Sequence, residues 1–514
     1  MVGDGNPSLR SDGRHWQTLD YAAAALLFAF VLATNLATVL NNAYSFGSTL
    51  HDSAIFQTII WRSGWALTPA PVIESISFLN FHFSPILYLA SAPSYLVPLD
   101  RMSYYGLVYG IIYGALVLVA FHAFLHLTNR GTLAAFLLSL LFYLSGPVNS
   151  GQWEPHVEIA SALFTLAFFI AWARRRLSAA VAFLLLNVAV REDCGMLLAL
   201  PLFLLAAHDR WGRHRTEESP AHRHSLRYAV LSAVLSVAAF AVKRIYFNQV
   251  DNIALYYYGN DLFSYLSLPL LAQRLRFTLL HAQYTWLPGL VLLLGAARLR
   301  DARLAIGWLA FFPFWLFNFL SKLELNAQLG SYKSFPLILT VVWPAVLAFT
   351  LPPRERRRMA QLQLVVLLAA TLSLENGGLR FAAPSGLDGL LGRWTLHAET
   401  ERAELYQAFE SRLDERKSLG AMRASAGALA LYPYSFPRFD VSWVGAAPEE
   451  EVDRLDSLLW FKGDRDDATI RKWLKRGNFP YYYQVIGTRL LLATRRPPEA
   501  LASFAGALSP SPPP

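Results

Sequence analysis

The sequence is poor in cysteine and in charge. Of its 514 residues only one, Cys194, is a cysteine, which excludes a disulfide within the chain and leaves the redox compartment open. Only 16% of the residues are charged and 54% are hydrophobic, which is too little charge to cover a soluble globule of this length. The chain also lacks a P-loop, a dinucleotide-binding fingerprint, a zinc-ligand spacing and an internal repeat. These absences disfavour nucleotide-binding folds and repeat architectures.

Long apolar runs fill the first three-quarters of the chain. Runs such as residues 21–40 and 106–126 have the length of about 20 residues that crosses a hydrocarbon core. The net charge is +9, and the arginines fall mostly in short clusters between these runs. That pattern orients spans, so we expect a lipid bilayer as partner and no nucleic acid. The predicted fold is an α-helical polytopic membrane protein with about eleven transmembrane helices and a small extracytoplasmic C-terminal α/β domain.

Four arginine-rich segments determine the predicted topology. The positive-inside rule places all four in the cytoplasm together with residues 1–19, and the first apolar run is expected to be a retained span. The chain must therefore return inside at each cluster, in the cell (plasma or inner) membrane. The clusters are residues 174–176, 210–227, 298–303 and 354–358. The later spans are expected at residues 104–127, 133–144, 157–173, 177–190, 193–207, 228–247, 278–297, 304–321, 335–350 and 360–374.

Because the chain must return to the cytoplasm at each arginine cluster, residues 41–103 are expected to form one large outward loop. This loop belongs to a multi-pass domain at 20–375. Its apolar part, residues 81–99, is expected to lie in the membrane interface or to re-enter from the same side. Three prolines, Pro85, Pro93 and Pro98, favour this over a crossing helix.

The composition changes after residue 375. Charged residues and glycine rise, and no run of spanning length remains, which predicts a separate extracytoplasmic α/β domain at residues 376–508. Helices are expected at 398–419 and 468–476, and strands at 428–432, 457–461, 481–486 and 489–494. The tail at 509–514 is expected to be disordered.

Conspicuous polar residues from separate loops fall on the predicted outer face. The helices on either side of residues 191–193 are short for a full crossing, so this charged turn should lie below the surface, where charges must face one another or a wet cavity. Ionisable groups at such depth are functional candidates. The candidates are His51, Asp52, Gln57, His82, Glu154, His156, Arg191, Glu192, Asp193, Tyr332 and Lys333.

Structural roles compete with functional ones for several of these residues. Arg191 with Glu192 or Asp193 can be an ion pair that lets the turn sit at depth, and His82 can simply bond the backbone. Tyr332 has the character of an interface anchor. Asp52 differs from these, because it follows an apolar span and has no obvious basic partner nearby in the sequence.

These segments, taken in order, resemble a family of prokaryotic membrane proteins known as domain of unknown function 2079. The family is placed near glycosyltransferases of the C-type membrane fold. The match covers most of residues 20–350. This chain departs from the family pattern at His51, where an aromatic residue is more common, and at Glu154. The matching pieces are residues 51–57 with Trp61, 82–85, 154–156 and 191–193, and Tyr332 ahead of Pro336.

The resemblance implies a membrane glycosyltransferase that uses a sugar carried on a polyprenyl phosphate. Asp52 would then be the catalytic general base, and Arg191 and Lys333 would hold the lipid phosphate. His82, Glu154 and His156 would bind sugar hydroxyls or orient Asp52. The acceptor would be a glycan, a lipid or a protein. No cofactor is required with certainty, a divalent cation is possible, and no protein metal site is expected.

Two other classes of function remain open. A transporter or flippase would use the same outward polar residues to bind a solute or a lipid headgroup, although such proteins commonly carry internal repeats and matching broken helices. A non-catalytic assembly scaffold for cell-envelope lipids or glycans would recruit a partner through its outer domain. In a scaffold, Asp52 would be dispensable.

Overall fold

The computed structural model is predominantly helical through residue 372. It describes residues 16–44, 56–57, 59–61, 67, 77–99, 101–153, 156–211, 224–247, 258–259, 261–322, 324–327 and 331–372, and then 422–424, 441–443, 457–461, 467–476, 482–486 and 490–494.

The first half of the described chain contains the longest helices. The helix α1 and the helix α3 each have 27 residues, and both follow from uninterrupted apolar runs. The helices of this half are α1 (Thr18–Tyr44), α2 (Ile86–Ser91), α3 (Arg101–Leu127), α4 (Thr132–Leu144), α5 (Gly146–Trp153), α6 (Ile159–Ala173), α7 (Leu177–Val190), α8 (Cys194–Trp211) and α9 (Ser225–Tyr246).

Two predicted spans in the second half differ from the structure. Residues 278–297 do not form one helix, because the chain breaks at residues 282–286 ahead of Pro288. Residues 304–321 are likewise interrupted, at Ala310 and Phe311, ahead of Pro313. The helices are α10 (Leu268–His281), α11 (Leu287–Leu299), α12 (Arg303–Leu309), α13 (Phe312–Phe319), α14 (Glu324–Ala327), α15 (Leu337–Leu347) and α16 (Pro353–Leu372).

The apolar segment of the large loop forms only short helical pieces. A 3-10 turn at Phe78–Asn80 is followed by α2, which has six residues, and by a second 3-10 turn at Ala92–Tyr95. Six residues of helix rise only about 9 Å, far short of a hydrocarbon core of about 30 Å. The structure therefore has no crossing helix among the described residues 77–99.

Three described helices are long and apolar enough to cross a membrane. They are Thr18–Leu40, Met102–Leu127 and Ser225–Tyr246. The pair α4 and α5 gives a fourth if it is treated as one span, and it is bent by 55°. Five shorter apolar helices of 10–17 residues accompany them. The described chain thus has the character of a helical membrane protein, and the count of eleven spans stays a prediction.

A seam of glycines brings α3 against α1. A Cβ atom at Gly110 would lie 2.6 Å from Leu32 Cδ1 and 3.0 Å from the Leu32 carbonyl oxygen, so the two backbones approach too closely for a side chain there. Small residues at such spacing let membrane helices pack by van der Waals contact. On the other side of this packing, Asn35 of α1 donates to the Tyr143 hydroxyl of α4 at 3.2 Å and to the Val31 carbonyl at 2.8 Å.

Several helices end in a left-handed residue that is not glycine. Arg130 has a φ of 71°, Arg175 of 59° and Arg300 of 55°. The amides of Arg130 and Arg176 bond to the carbonyls of Leu125 and Ala171, five residues back, which is the Schellman pattern. A left-handed conformation costs an L-residue about 1–2 kcal/mol, which glycine would avoid.

The C-terminal described segments form a five-stranded sheet with one helix. The strand order is β2-β1-β3-β5-β4, with β1 parallel to β2 and β3, and β5 antiparallel to β3 and β4. The helix expected at 398–419 and the strand expected at 428–432 lie outside the described residues. The elements are β1 (Met422–Ala424), β2 (Val441–Trp443), β3 (Ser457–Phe461), α17 (Asp467–Arg476), β4 (Tyr482–Ile486) and β5 (Leu490–Thr494).

Candidate functional site

A network of buried charges lies where α6 begins and α7 ends. Arg191, in the turn between α7 and α8, donates through Nε and Nη2 to the two carboxylate oxygens of Asp193 at 2.5 and 2.7 Å. Its Nη1 pairs with Glu158, the residue ahead of α6. Arg191 and Glu158 are 8% and 3% exposed. The guanidinium is thus bound by two carboxylates, and of the two ion pairs anticipated for Arg191 the one with Asp193 is formed, whereas Glu192 binds other groups.

His156 extends this first half of the network. Its Nδ1 lies 2.5 Å from Glu158 Oε2, and its carbonyl accepts a hydrogen bond from the Tyr109 hydroxyl of α3. The ring of Phe56 packs edge-on against the His156 ring with centroids 4.3 Å apart. This contact brings the described part of the large loop, including the buried Gln57, to the start of α6.

Glu192 is the centre of the second half. Its Oε2 accepts from the Phe83 amide at 2.8 Å, and its Oε1 lies 3.2 Å from His82 Nδ1 and 3.0 Å from Lys243 Nζ. Lys243, near the end of α9, also donates to the Phe81 carbonyl and is 5% exposed. Glu192 and Lys243 therefore fix residues 81–83 of the large loop against the helices, while the His82 side chain stays 28% exposed.

The lengths of α6 and α7 set the distance of this network from the arginine turn at their other ends. The helix α6 has 15 residues and α7 has 14, and both connect the network with the arginine turn at residues 174–176. At 1.5 Å per residue these helices are about 21–22 Å long, shorter than a hydrocarbon core of about 30 Å. If the arginine turn lies at one surface, the network lies below the other. Charges at such depth are paired, as these are.

Lys333 and Tyr332 lie in a 3-10 turn, Ser331–Ser334, just before α15. The Ser334 hydroxyl donates to the Pro147 carbonyl at 3.0 Å and lies 2.6 Å from the Ser150 hydroxyl, which holds this turn on α5. The charge of Lys333 is close enough to act on Glu158. The guanidinium of Arg191 lies 5.8 Å from the centre of the Phe335 ring. The side chain of Tyr332 is outside the described part.

Three predicted site residues, His51, Asp52 and Glu154, lie outside the described residues. The structure brings together most of the rest, namely His82, His156, Arg191, Glu192, Asp193 and Lys333. Among the residues that the structure describes, no group of three or more His, Cys, Asp or Glu side chains could hold a metal ion. The assembled network consists of cations and carboxylates that bind one another, and its more exposed side chains are Asp193 and His82, at 41% and 28%.

The sequence interpretation missed Glu158 and Lys243. The signal for Lys243 was an ammonium group within a helix that is long and apolar enough to cross a membrane, where a charge requires a partner. Glu158 follows His156 by two residues and carried no separate pattern. A scan against protein-family models finds no match for the chain, and a search of curated proteins finds no similar one.

Proposed function

We propose that the chain is a membrane glycosyltransferase that moves a sugar from a polyprenyl phosphate to an acceptor outside the cytoplasm. The proposal places the chain in the cell membrane with its N-terminus inside and the C-terminal α/β domain outside. The acceptor is a glycan, a lipid or another protein. The resemblance of the ordered polar segments to domain of unknown function 2079 and the C-type membrane fold supports this choice.

The observation that carries the proposal is that the large loop contacts the network of buried charges. Phe56 packs on His156, and His82 and Phe83 bind Glu192. Asp52 precedes Phe56 by only four residues, and four residues reach at most about 14 Å. The loop that carries the predicted base is therefore tied to the loops that carry the predicted cations.

The chemistry needs a base and a positive site. The acceptor oxygen attacks the anomeric carbon, the bond from that carbon to the phosphate oxygen breaks, and its electron pair leaves on the phosphate. Asp52 takes the proton of the acceptor hydroxyl. Lys333, at the half-buried rim, and the Arg191 group stabilise the charge of the leaving phosphate. Because Arg191 is held by Glu158 and Asp193, it stabilises the leaving phosphate through its fixed positive charge and does not move to contact it.

The decisive experiment measures transfer of labelled sugar from polyprenyl phosphate in membranes that contain the full chain. Asp52→Asn keeps the shape of the side chain and removes the base, so turnover should fall by about a hundredfold or more while donor binding and abundance stay near wild type. The matched control is Asp261→Asn, the same change at an exposed aspartate. Transfer by Asp52→Asn at the wild-type rate would falsify the base assignment.

A companion pair of variants tests the cations. Lys333→Gln should raise the donor concentration needed for half-maximal rate, because it removes a charge at the rim. Arg191→Lys keeps the charge but loses the two-pronged bond to Asp193, so its main effect should be on protein stability. A larger effect of Arg191→Lys on donor binding than on stability would indicate that Arg191 binds the phosphate directly.

A transporter is the second candidate, and one observation favours it. The bent pair α4 and α5 and the break between α12 and α13 are interrupted helices, which transporters use to line substrate sites. If purified protein in vesicles moves a polyprenyl-phosphate sugar across the bilayer without transferring the sugar, the transporter replaces the glycosyltransferase.

A further inference from the structure

A second concentration of charge lies at the other ends of α6 and α7 from the buried network. We call it the basic cluster and define it as Arg130, Arg174, Arg176 and Arg356. The charges of Arg130 and Arg176 act on Arg174, and those of Arg174 and Arg356 act on His126. Arg130 and Arg176 are therefore within electrostatic reach of Arg174, and Arg356 and Arg174 are within reach of the same histidine.

Aromatic packing holds this cluster in shape. The Phe349 ring lies 4.9 Å from the guanidinium carbon of Arg174, and the His126 ring stacks on it at 4.1 Å and an angle of 6°. Arg356 donates through Nε to the Leu351 carbonyl at 3.2 Å. His126 Nε2 is buried and bonds to no partner among the described residues. The cluster is thus a built surface, because two of its members, Arg174 and Arg356, are fixed by contacts to the short segment 348–351.

The nearby carboxylate is committed elsewhere. Asp20, near the start of α1, is 1% exposed and accepts from the Thr132 hydroxyl at 2.6 Å and from the Gln17 amide at 3.0 Å. It therefore serves the ends of α1 and α4. Like charges at short range repel, and an anion placed beside the exposed Arg174 and Arg176 would relieve part of that repulsion.

The turns that present the cluster are tight, with Arg130 and Arg175 in the left-handed region. The Arg174 and Arg176 side chains are exposed, so they can reach a ligand.

We propose that the basic cluster binds the phosphate headgroup of an anionic phospholipid in the adjacent leaflet. Two arginine segments flank the helices where the apolar surface ends, which is the level of the headgroups. The exposed Arg174 and Arg176 contact the phosphate, and Arg130 and Arg356 supply charge from the half-buried side. Guanidinium groups suit this ligand because they bind phosphate in a two-pronged manner.

The test is native mass spectrometry of the full detergent-purified chain, titrated with phosphatidylglycerol or with phosphatidylcholine of the same acyl chains. The wild type should prefer phosphatidylglycerol. Arg174→Gln with Arg176→Gln should weaken phosphatidylglycerol binding by about fivefold for each arginine and leave phosphatidylcholine binding unchanged. Lysine at both positions keeps the charge but loses the two-pronged contact, so it should retain only part of the preference. The control, Arg244→Gln with Arg276→Gln, removes the same charge from exposed positions of α9 and α10 and should have no effect.

Two results would overturn the proposal. One is an unchanged lipid preference in the Arg174 and Arg176 double variant. The other is equally tight binding of inorganic phosphate, which would make the site one for a free anion. Should the double variant not yield a monodisperse protein, Arg176→Gln alone decides, because this exposed side chain can be replaced without opening the core.

Discussion

Replacement of Lys243 by methionine should destabilise the protein through the charge that it leaves behind. Lys243 Nζ lies 3.0 Å from Glu192 Oε1, and the two residues are 5% and 3% exposed. Methionine fills a similar volume but leaves a buried carboxylate whose remaining partners, among the residues that the structure describes, are the Phe83 amide and His82. Removal of one member of a buried ion pair typically costs about 3–5 kcal/mol. We expect a loss of that size in the free energy of unfolding.

The measurement is equilibrium unfolding in mixed micelles with increasing dodecyl sulfate. Lys243→Met with Glu192→Gln removes both charges, so the double variant should be about 2–3 kcal/mol more stable than additivity predicts. Lys322→Met, the same change at an exposed lysine, is the matched control and should stay within about 0.5 kcal/mol of wild type.

A loss below about 1 kcal/mol with an additive double variant would refute the reasoning. Such a result would mean that water or a rotamer change, not Lys243, neutralises Glu192.

Three further outcomes are expected. Gly110→Val should lower the stability of the protein more than Ala115→Val on the same helix, because the valine at 110 must displace the Leu32 backbone. The measurement is the fraction of protein that keeps its native size after heating. Asp301→Asn should lower stability by about 1.5–3 kcal/mol near neutral pH, since the hydrogen bonds and charge of Arg303 outweigh burial and hold the pKa of Asp301 below its ordinary value. That difference is present above the ordinary pKa and should vanish as the pH falls through the lowered one. Reporter fusions after residue 375 should be active only outside the cytoplasm, and fusions near 215 and 356 only inside; an inward fusion at 375 would contradict the topology.

Helices bounded by strong local signals could be predicted from the sequence. The helix α7 begins and ends at the predicted residues, because an arginine triplet precedes it and three charged residues follow it. The long helices α1, α3 and α9 were likewise evident from their apolar runs. Hydropathy alone could not locate the breaks before Pro288 and Pro313, because a proline within the first turn begins a helix as readily as it interrupts one.

The site was predicted by residue type better than by pairing. The sequence predicted that His82, His156 and the 191–193 turn lie on one face. It did not indicate which carboxylate forms an ion pair with Arg191. The answer depends on where α6 begins and where α9 ends, and these are separated from the turn by 33 and 52 residues of chain (Glu158 to Arg191, and Arg191 to Lys243). Pairing of buried charges is set by tertiary packing, which periodicity does not encode.

The contact of α1 with α3 and α4 bears on how the protein is made. Asn35 satisfies its amide partly through Tyr143, which is synthesised about a hundred residues later (35 to 143). Until α4 arrives, the Asn35 amide of a newly inserted α1 lacks its Tyr143 partner, and until α3 arrives the face of α1 at Leu32 lacks the glycines that pack on it. The first helix is therefore a poor independent anchor, and it should be retained by the insertion machinery or by a chaperone until the third helix docks. A truncated chain that ends before α3 would present the cell with an unassembled helix, which is a feature that membrane quality control can recognise.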